Sequence, residues 1–276
     1  MALTNMRELL AQANEEQRAV GAFNVSSIEM ICGVVHAAEA MRTPVIMQVA
    51  QGRLGTTPLP ILGRAMLAAA ERAQVPVALH LDHGQTMDCI KMALDIGFTS
   101  VMFDGSALPM EENAAKTREV VRLATNYHAA VEAEIGHLGR TETGEKTEEA
   151  YTNPTDAICF AEETGVDALA VAIGNAHGVY AGTPVFHFEV LETIREKCAT
   201  PLVLHGGTGS SEKNFRRCIQ SGVRKINIAT AIFQASAKAA KSVTSNDWFA
   251  MSGKMTDAVT DVVKEHISIF GKARGC

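Results

Sequence analysis

The chain has 276 residues, 47% of them hydrophobic and 20% charged, with 22 glycines and 8 prolines, an ordinary globular composition with ample material for a buried core. Its formal net charge of −6 argues against nucleic acid or an acidic membrane surface as a partner. The apolar runs are short, well below the roughly 20 residues of a membrane-spanning helix. The opening segment, MALTNMRELLAQANEEQ, has the mixed charge of an amphipathic helix and lacks the apolar stretch of a secretion signal. Cys32, Cys89, Cys159, Cys198, Cys218 and Cys276 are scattered without a C-x-x-C pair. That pattern predicts reduced thiols in a cytoplasmic protein, without disulfides or a zinc knuckle.

After the first helix, β-branched runs predict strands at 19–25, 43–50, 75–81, 100–104, 129–136, 168–174, 201–207 and 225–229. Between them lie segments such as SIEMICGVVHAAEAM and EENAAKTREVVRLATNY, whose apolar residues recur three and four apart as in helices. Pro44, Pro76 and Pro201 mark strand entrances, where a fixed φ starts an extended segment. Eight strands alternating with helices predict a single (β/α)8 TIM barrel spanning 1–276 as one domain, with additional N- and C-terminal helices. The last of these contains MTDAVTDVVKEHISIF. A doubly wound open sheet is the alternative, because periodicity does not report closure. Two irregular stretches, 136–153 and 174–187, have the length of functional loops.

Barrel enzymes build their sites at the C-terminal ends of the strands. Those ends carry, in order, Asn24, Gln48, Asp82 with His83, Asp104, Glu134, Asn175 with His177, His205, and Asn227 with Thr230. The opposite ends carry mostly Pro, Ala, Ser and Thr. A lone loop histidine is more often a hydrogen-bonded structural residue than a ligand. Three on one rim, His83, His177 and His205, match what a divalent cation with an open coordination position requires, as in catalytic zinc sites. His36, His128 and His266 fall in helical patterns, and His137 and His187 in loops. His80 shares the inward parity of Asp82 and reads as a packed residue or a support for the ligands. HGGTGSS at 205–211 opens a helix, a glycine turn that lets backbone N–H groups approach an anion. With NIAT after strand eight it occupies the place of many barrel phosphate sites.

AFNV, HLDHG, SVMFDGS, VEAEIGHLG, AIGNAHGVY, LHGGTGS and KINIAT, in this order, resemble the class II, zinc-dependent fructose-bisphosphate and tagatose-bisphosphate aldolases, with the tagatose branch nearer. The resemblance covers the chain from about residue 20 to the final helix. It implies a barrel lyase that reversibly cleaves a phosphorylated ketose, a ketose 1-phosphate, to dihydroxyacetone phosphate and an aldehyde such as glyceraldehyde 3-phosphate. It also implies Zn2+, a monovalent cation such as Na+ or K+ near the phosphate, and a homodimer or homotetramer. Carried over by position, His83, His177 and His205 match the zinc ligands, and Asp104 and Glu134 the carboxylates beside the metal. Asp82 matches the acid/base at the aldehyde-side oxygen, and Glu142 the loop glutamate that exchanges the C1 proton. Asn24, Gly178, Gly206, Gly207, Thr208, Asn227, Ala229 and Thr230 match the phosphate and enediolate environment, with Asn227 also donating to the reacting fragment.

Two departures from the family pattern bear on the substrate. The family loop commonly reads GGQED or GGEED, whereas this chain has GRTET at 139–143. Arg140 therefore reads either as a solvated loop charge or as a contact to an anionic far end of the substrate. Ala50 stands where many relatives carry a hydroxyl. Substrates ending in a carboxylate or sulfonate thus stand beside the bisphosphates. Two other functions compete: a non-catalytic barrel subunit of an aldolase complex, which the intact histidines disfavour, and a zinc hydrolase, which leaves the glycine-rich loops unexplained. Lys225, in a strand core, reads as an ion-pair member rather than as a Schiff-base lysine.

Overall fold

The computed structural model describes residues 2–136, 151–178 and 185–271, and 139–140 by their backbone. The strands in chain order are β1 (Val20–Asn24), β2 (Val45–Ala50), β3 (Val77–Gly84), β4 (Ser100–Phe103), β5 (Ala130–Ile135), β6 (Gly139–Arg140), β7 (Ala168–Val171), β8 (Ala176–His177), β9 (Leu202–Leu204) and β10 (Val223–Ile228). The helices are α1 (Met6–Glu15), α2 (Ile28–Met41), α3 (Leu59–Arg72), α4 (Met87–Ile96), α5 (Met110–Thr125), α6 (Pro154–Thr164), α7 (Phe188–Lys197), α8 (Glu212–Gln220), α9 (Thr230–Lys241) and α10 (Trp248–Phe270). A closed parallel barrel runs in the order β1–β10–β9–β7–β5–β4–β3–β2, while β6 and β8 pair as a separate ribbon. Closure through β1 and β10 decides between the barrel and the open sheet.

Local chemistry sets where the helices begin. Ser27, Thr86, Asn153, Ser211 and Asp247 each accept from a backbone N–H in the first turn of the helix they precede, satisfying donors that a helix leaves without partners. Pro58 and Pro109 precede α3 and α5. The helices cover the outer barrel face, and α10 packs on α2 and α9. No helix among the described residues is long and apolar enough to cross a membrane. Cys32, Cys89, Cys159, Cys198 and Cys218 are free thiols, and Cys276 lies outside the described residues.

The barrel interior changes character along its axis. Near the strand entrances, Met6, Leu9, Leu10 and Ala13 of α1 pack with Val20, Ala22, Ile46, Ala78, Ala130, Ala168, Ala170 and Val203, an apolar plug that closes this end. Halfway up lie His80, Ser100, Glu132 and Lys225, all fully buried. At the mouth the inward positions become Asn24, Gln48, Asp82, Glu134 and Asn227. His128 departs from the helical expectation: it follows α5 with φ +54, and its carbonyl accepts from Asn5 Nδ2.

Candidate active site

The sequence HLDHG places two adjacent polar side chains at one mouth, although neighbours on a strand normally point to opposite faces. A bulge resolves this. Leu81 pairs with Val101 and Gly84 with Phe103, so three steps on β3 answer two on β4, and one residue is extra. His83 adopts φ +45, an uncommon left-handed conformation for a residue with a Cβ. The turned backbone brings both Asp82 and His83 to the same cavity. Gly84 completes the bulge because a Cβ there would lie 2.4 Å from the Met102 carbonyl oxygen.

Three strand exits converge on His83. Its ring lies 4.9 Å from that of His177 and 4.7 Å from that of His205, and the latter two are 5.9 Å apart. One nitrogen from each fits within a common 4.8 Å sphere of ligand atoms, as does a second set from His83, Asp104 and Glu134. His83 Nδ1 is 2.7 Å from Asp104 Oδ2, and Asp104 Oδ1 in turn accepts from the Ser106 hydroxyl. His205 Nδ1 and Glu134 Oε2 face each other at 3.2 Å, yet both are buried without a hydrogen-bond partner, as is His83 Nε2. Buried orphans of this kind are costly, and nitrogen and carboxylate donors are what a divalent cation takes. The charge environment agrees. Burial opposes a positive charge on His205, but Glu132 and Glu134 outweigh it and hold its pKa up at about 10. At His83, burial is similarly outweighed by Asp82 and Asp104, and the pKa is raised. His177 moves the other way: burial and the neighbouring His83 and His205 push it down to about 3. The centre thus favours positive charge while keeping one imidazole lone pair available, and the residues present fit a metal ion.

Beside this cluster an amide chain grips Asp82. Gln48 Nε2 donates to Asn24 Oδ1 at 2.8 Å, and Asn24 Nδ2 donates to Asp82 Oδ2 at 2.8 Å. Asn227 Nδ2 donates to Asp82 Oδ1 at 3.1 Å from the other side. Burial would raise the Asp82 pKa, but His83, His205 and Lys225 outweigh it and hold it at about 2. Gln48, whose position on the rim suggested no role, is the far anchor of this chain.

The β9 and β10 exits shape the neighbouring wall. Gly206 has φ +64, and a Cβ there would lie 2.1 Å from the Ala176 carbonyl oxygen, so only glycine lets this turn pass against β8. Thr208 Oγ1 accepts from Ala231 N at 3.2 Å, tying the two loops together at the N-terminus of α9, where the preceding Ala229 makes no side-chain cap. Gly178, Gly206, Gly207, Thr208, Ala229 and Thr230 line one cavity of about 370 Å³ with Asn24, Asp82, His83, Asp104, Glu134, His177 and Asn227. A second hollow of about 420 Å³ lies among Glu192, Arg195, Glu196, Arg217, Gln220 and Ser221. It sits between the C-terminal turns of α7 and α8, on the far side of the barrel from the convergent polar groups, and the mouth is the better candidate despite the smaller volume.

The structure adds Glu132, which the sequence reading passed over. Its carboxylate is fully buried, 2.8 Å from His205 Nε2, 2.8 Å from Lys225 Nζ and 3.6 Å from His80 Nε2. Burial is outweighed by Lys225 and His205, which hold Glu132 well below the usual carboxylate range. His80, also bonded to the Ser100 hydroxyl through Nδ1, is pushed down to about 3 by burial and Lys225. Accepting from His205 Nε2 leaves Nδ1 to face the histidine cluster, which is how an outer carboxylate sets a ligand's tautomer. The readable signal was parity: in VEAEIG, Glu132 faces inward with Glu134. Replacing Glu132 by Gln, with Lys225→Met so that no buried charge is left alone, is expected to weaken zinc binding by about 10- to 100-fold. Chelator competition checks this; an unchanged affinity would make the network purely structural.

The β6–β8 ribbon sets Arg140 opposite His177 in register, so the start of the GRTET loop runs beside the third histidine. The Arg140 side chain, Glu142 and His137 lie outside the described residues. His187 caps no backbone group; it bonds Glu189 through Nδ1 and stacks 4.0 Å from Tyr151.

Barrel and mouth together define the class: a (β/α)8 protein with a candidate metal centre at the C-terminal rim of its strands. The chain belongs to the class II fructose-bisphosphate aldolases, whose family model matches residues 4–274. It is 39% identical to a 6-phospho-5-dehydro-2-deoxy-D-gluconate aldolase of Halalkalibacterium halodurans, over 99% of both chains. It is also 37% identical to a fructose-bisphosphate aldolase of Staphylococcus aureus, over 98% of each. Among solved structures, the YdjI aldolase of Escherichia coli K12 superimposes with a TM-score of 0.90 at 37% identity, covering 98% of each chain. Membership makes the protein an aldolase, a lyase of a metal-dependent kind.

Proposed function

We propose that this barrel, acting as one catalytic unit, reversibly cleaves a ketose 1-phosphate with an acidic far end to dihydroxyacetone phosphate and an acidic aldehyde. The observation that carries the reading is the cavity in which three convergent histidines, an amide-held aspartate and a glycine-lined anion wall meet. His83, His177 and His205 would hold zinc, with Asp104 and Glu134 as alternative donors. When bound, the ion supplies Lewis-acid polarisation of the ketose carbonyl and of the charge left on the three-carbon fragment as C3–C4 breaks. Asp82, kept ionised by its surroundings, takes the C4 hydroxyl proton in cleavage and returns it in condensation. Asn24 and Asn227 hold it in place, and the second amide hydrogen of Asn227 is available to the oxygen of the fragment. Gly178, Gly206, Gly207, Thr208, Ala229 and Thr230 seat the 1-phosphate, where backbone donors and a helix N-terminus favour an anion.

The far acid is a phosphate in fructose or tagatose bisphosphate. A second reading is a carboxylate, since the relative from Halalkalibacterium is named for a phosphorylated aldonate. The test is a panel of ketose 1-phosphates ending in phosphate, carboxylate or a neutral hydroxymethyl group, assayed for dihydroxyacetone phosphate release. Release from an acid-ended member is the expected result; no release from any member would sink the proposal.

A further inference from the structure

The proposed reaction leaves one part of the substrate without a partner, the acidic group beyond C4, and the rim offers few places for it. On the β4–β5 side the cavity presents Asp104 and Glu134, which repel an anion. On the β9–β10 side the glycine wall is taken by the 1-phosphate. Between β10 and β3 the rim is formed by Asn24 of β1, committed to Asp82 and Gln48, and by Ala50, Gly52 and Arg53 at the end of β2. Ala50 contributes only a methyl group. Arg53 is the one lysine or arginine among the described residues that line the cavity.

We infer that Arg53 is the specificity-determining residue that reads the acidic group at the far end of the ketose. The inference rests on the reading that the substrate is a ketose 1-phosphate with such a group. The loop carrying Arg53 is pinned on both flanks. Gln51 Oε1 accepts from the backbone N–H groups of Gln85 at 2.7 Å and Thr86 at 3.3 Å, next to the Asp82–His83 bulge. On the other flank the Thr57 hydroxyl donates to the Ser26 carbonyl at 3.2 Å, past the end of β1. The guanidinium lies 5.9 Å from the centre of the Phe233 ring, and Phe233 lines the same cavity. An aromatic face of this kind holds an arginine by cation–π attraction while leaving the edge of its planar fork for an acid. The fork suits a carboxylate or a phosphate, and the two are separated by experiment.

Wild type, Arg53→Ala and Arg53→Lys are compared on ketose 1-phosphates ending in a carboxylate, a phosphate and a neutral hydroxymethyl group, with kcat and KM measured for each. In Arg53→Ala the kcat/KM preference for an acid end over the neutral end is expected to shrink by about 10- to 100-fold, through KM. Arg53→Lys should restore part of it. The acid whose preference falls further is the one Arg53 reads. A KM that rises equally on all three substrates would place the guanidinium on the shared 1-phosphate and overturn the inference. An unchanged preference with an unchanged melting curve would return Arg53 to a solvated surface charge, also overturning it. Wild type without any preference for an acid end fails the underlying reading and takes the inference with it, a result obtained before any variant is examined.

Discussion

Replacing Asp82 by alanine is expected to leave the metal in place and to lower the cleavage rate by about 10²- to 10⁴-fold, the usual worth of a positioned proton acceptor. Asp82 makes no hydrogen bond to the histidines; its nearest approach to His83 Nε2 is 4.0 Å. It is held instead by Asn24 and Asn227. Its loss therefore removes the base while His83, His177, His205, Asp104 and Glu134 keep their donors. Alanine also opens space between the two amides, so Asp82→Asn is the companion variant: it preserves the shape and removes only the charge. Metal content and steady-state rates measured together decide the matter. Either variant working within tenfold of wild type with full metal would remove Asp82 from the chemistry.

The second large effect concerns the metal itself. Chelator-stripped protein is expected to lose aldol cleavage and to regain it with zinc, and His83→Ala to lose both zinc and activity. His83 is the residue common to both sets of convergent donors, so its loss dismantles either arrangement. A thermal readout independent of turnover accompanies this. A ligand present at 100 times its Kd stabilises the folded state by about 2.7 kcal/mol, so zinc should raise the Tm of stripped wild type and leave that of His83→Ala nearly unmoved. Stripped protein that kept full activity would contradict a metal-assisted mechanism.

Much of this site was legible before any coordinates. Polar residues at the strand exits stand out because each follows a β-branched run, and both signals are local. Other features were invisible because their partners are distant in sequence. Reading 75–81 as the third strand stopped it short of the bulge that runs through Gly84, since an extra residue is defined only against β4. Glu132 lay in plain view in VEAEIG, but a buried carboxylate acquires meaning from its partners. Lys225, His205 and His80 come from β10, β9 and β3. Arg53 looked like any exposed loop charge until the barrel closed and carried β2 round to Phe233 of α9.

What the sequence determined by itself was the alternation of strand and helix, the helix starts at Ser27, Thr86, Asn153, Ser211 and Asp247, and the chemical types on one rim. Each follows from hydrophobic periodicity or from bonds reaching two or three residues. The tertiary structure alone decided barrel closure, the His83 bulge, the tautomer-setting contact of Glu132 and the amide chain on Asp82. Asn24 and Asp82 are 58 residues apart, and Asp82 and Asn227 are 145 apart. Such contacts exist only once closure of the whole sheet has met the entropy cost of joining them.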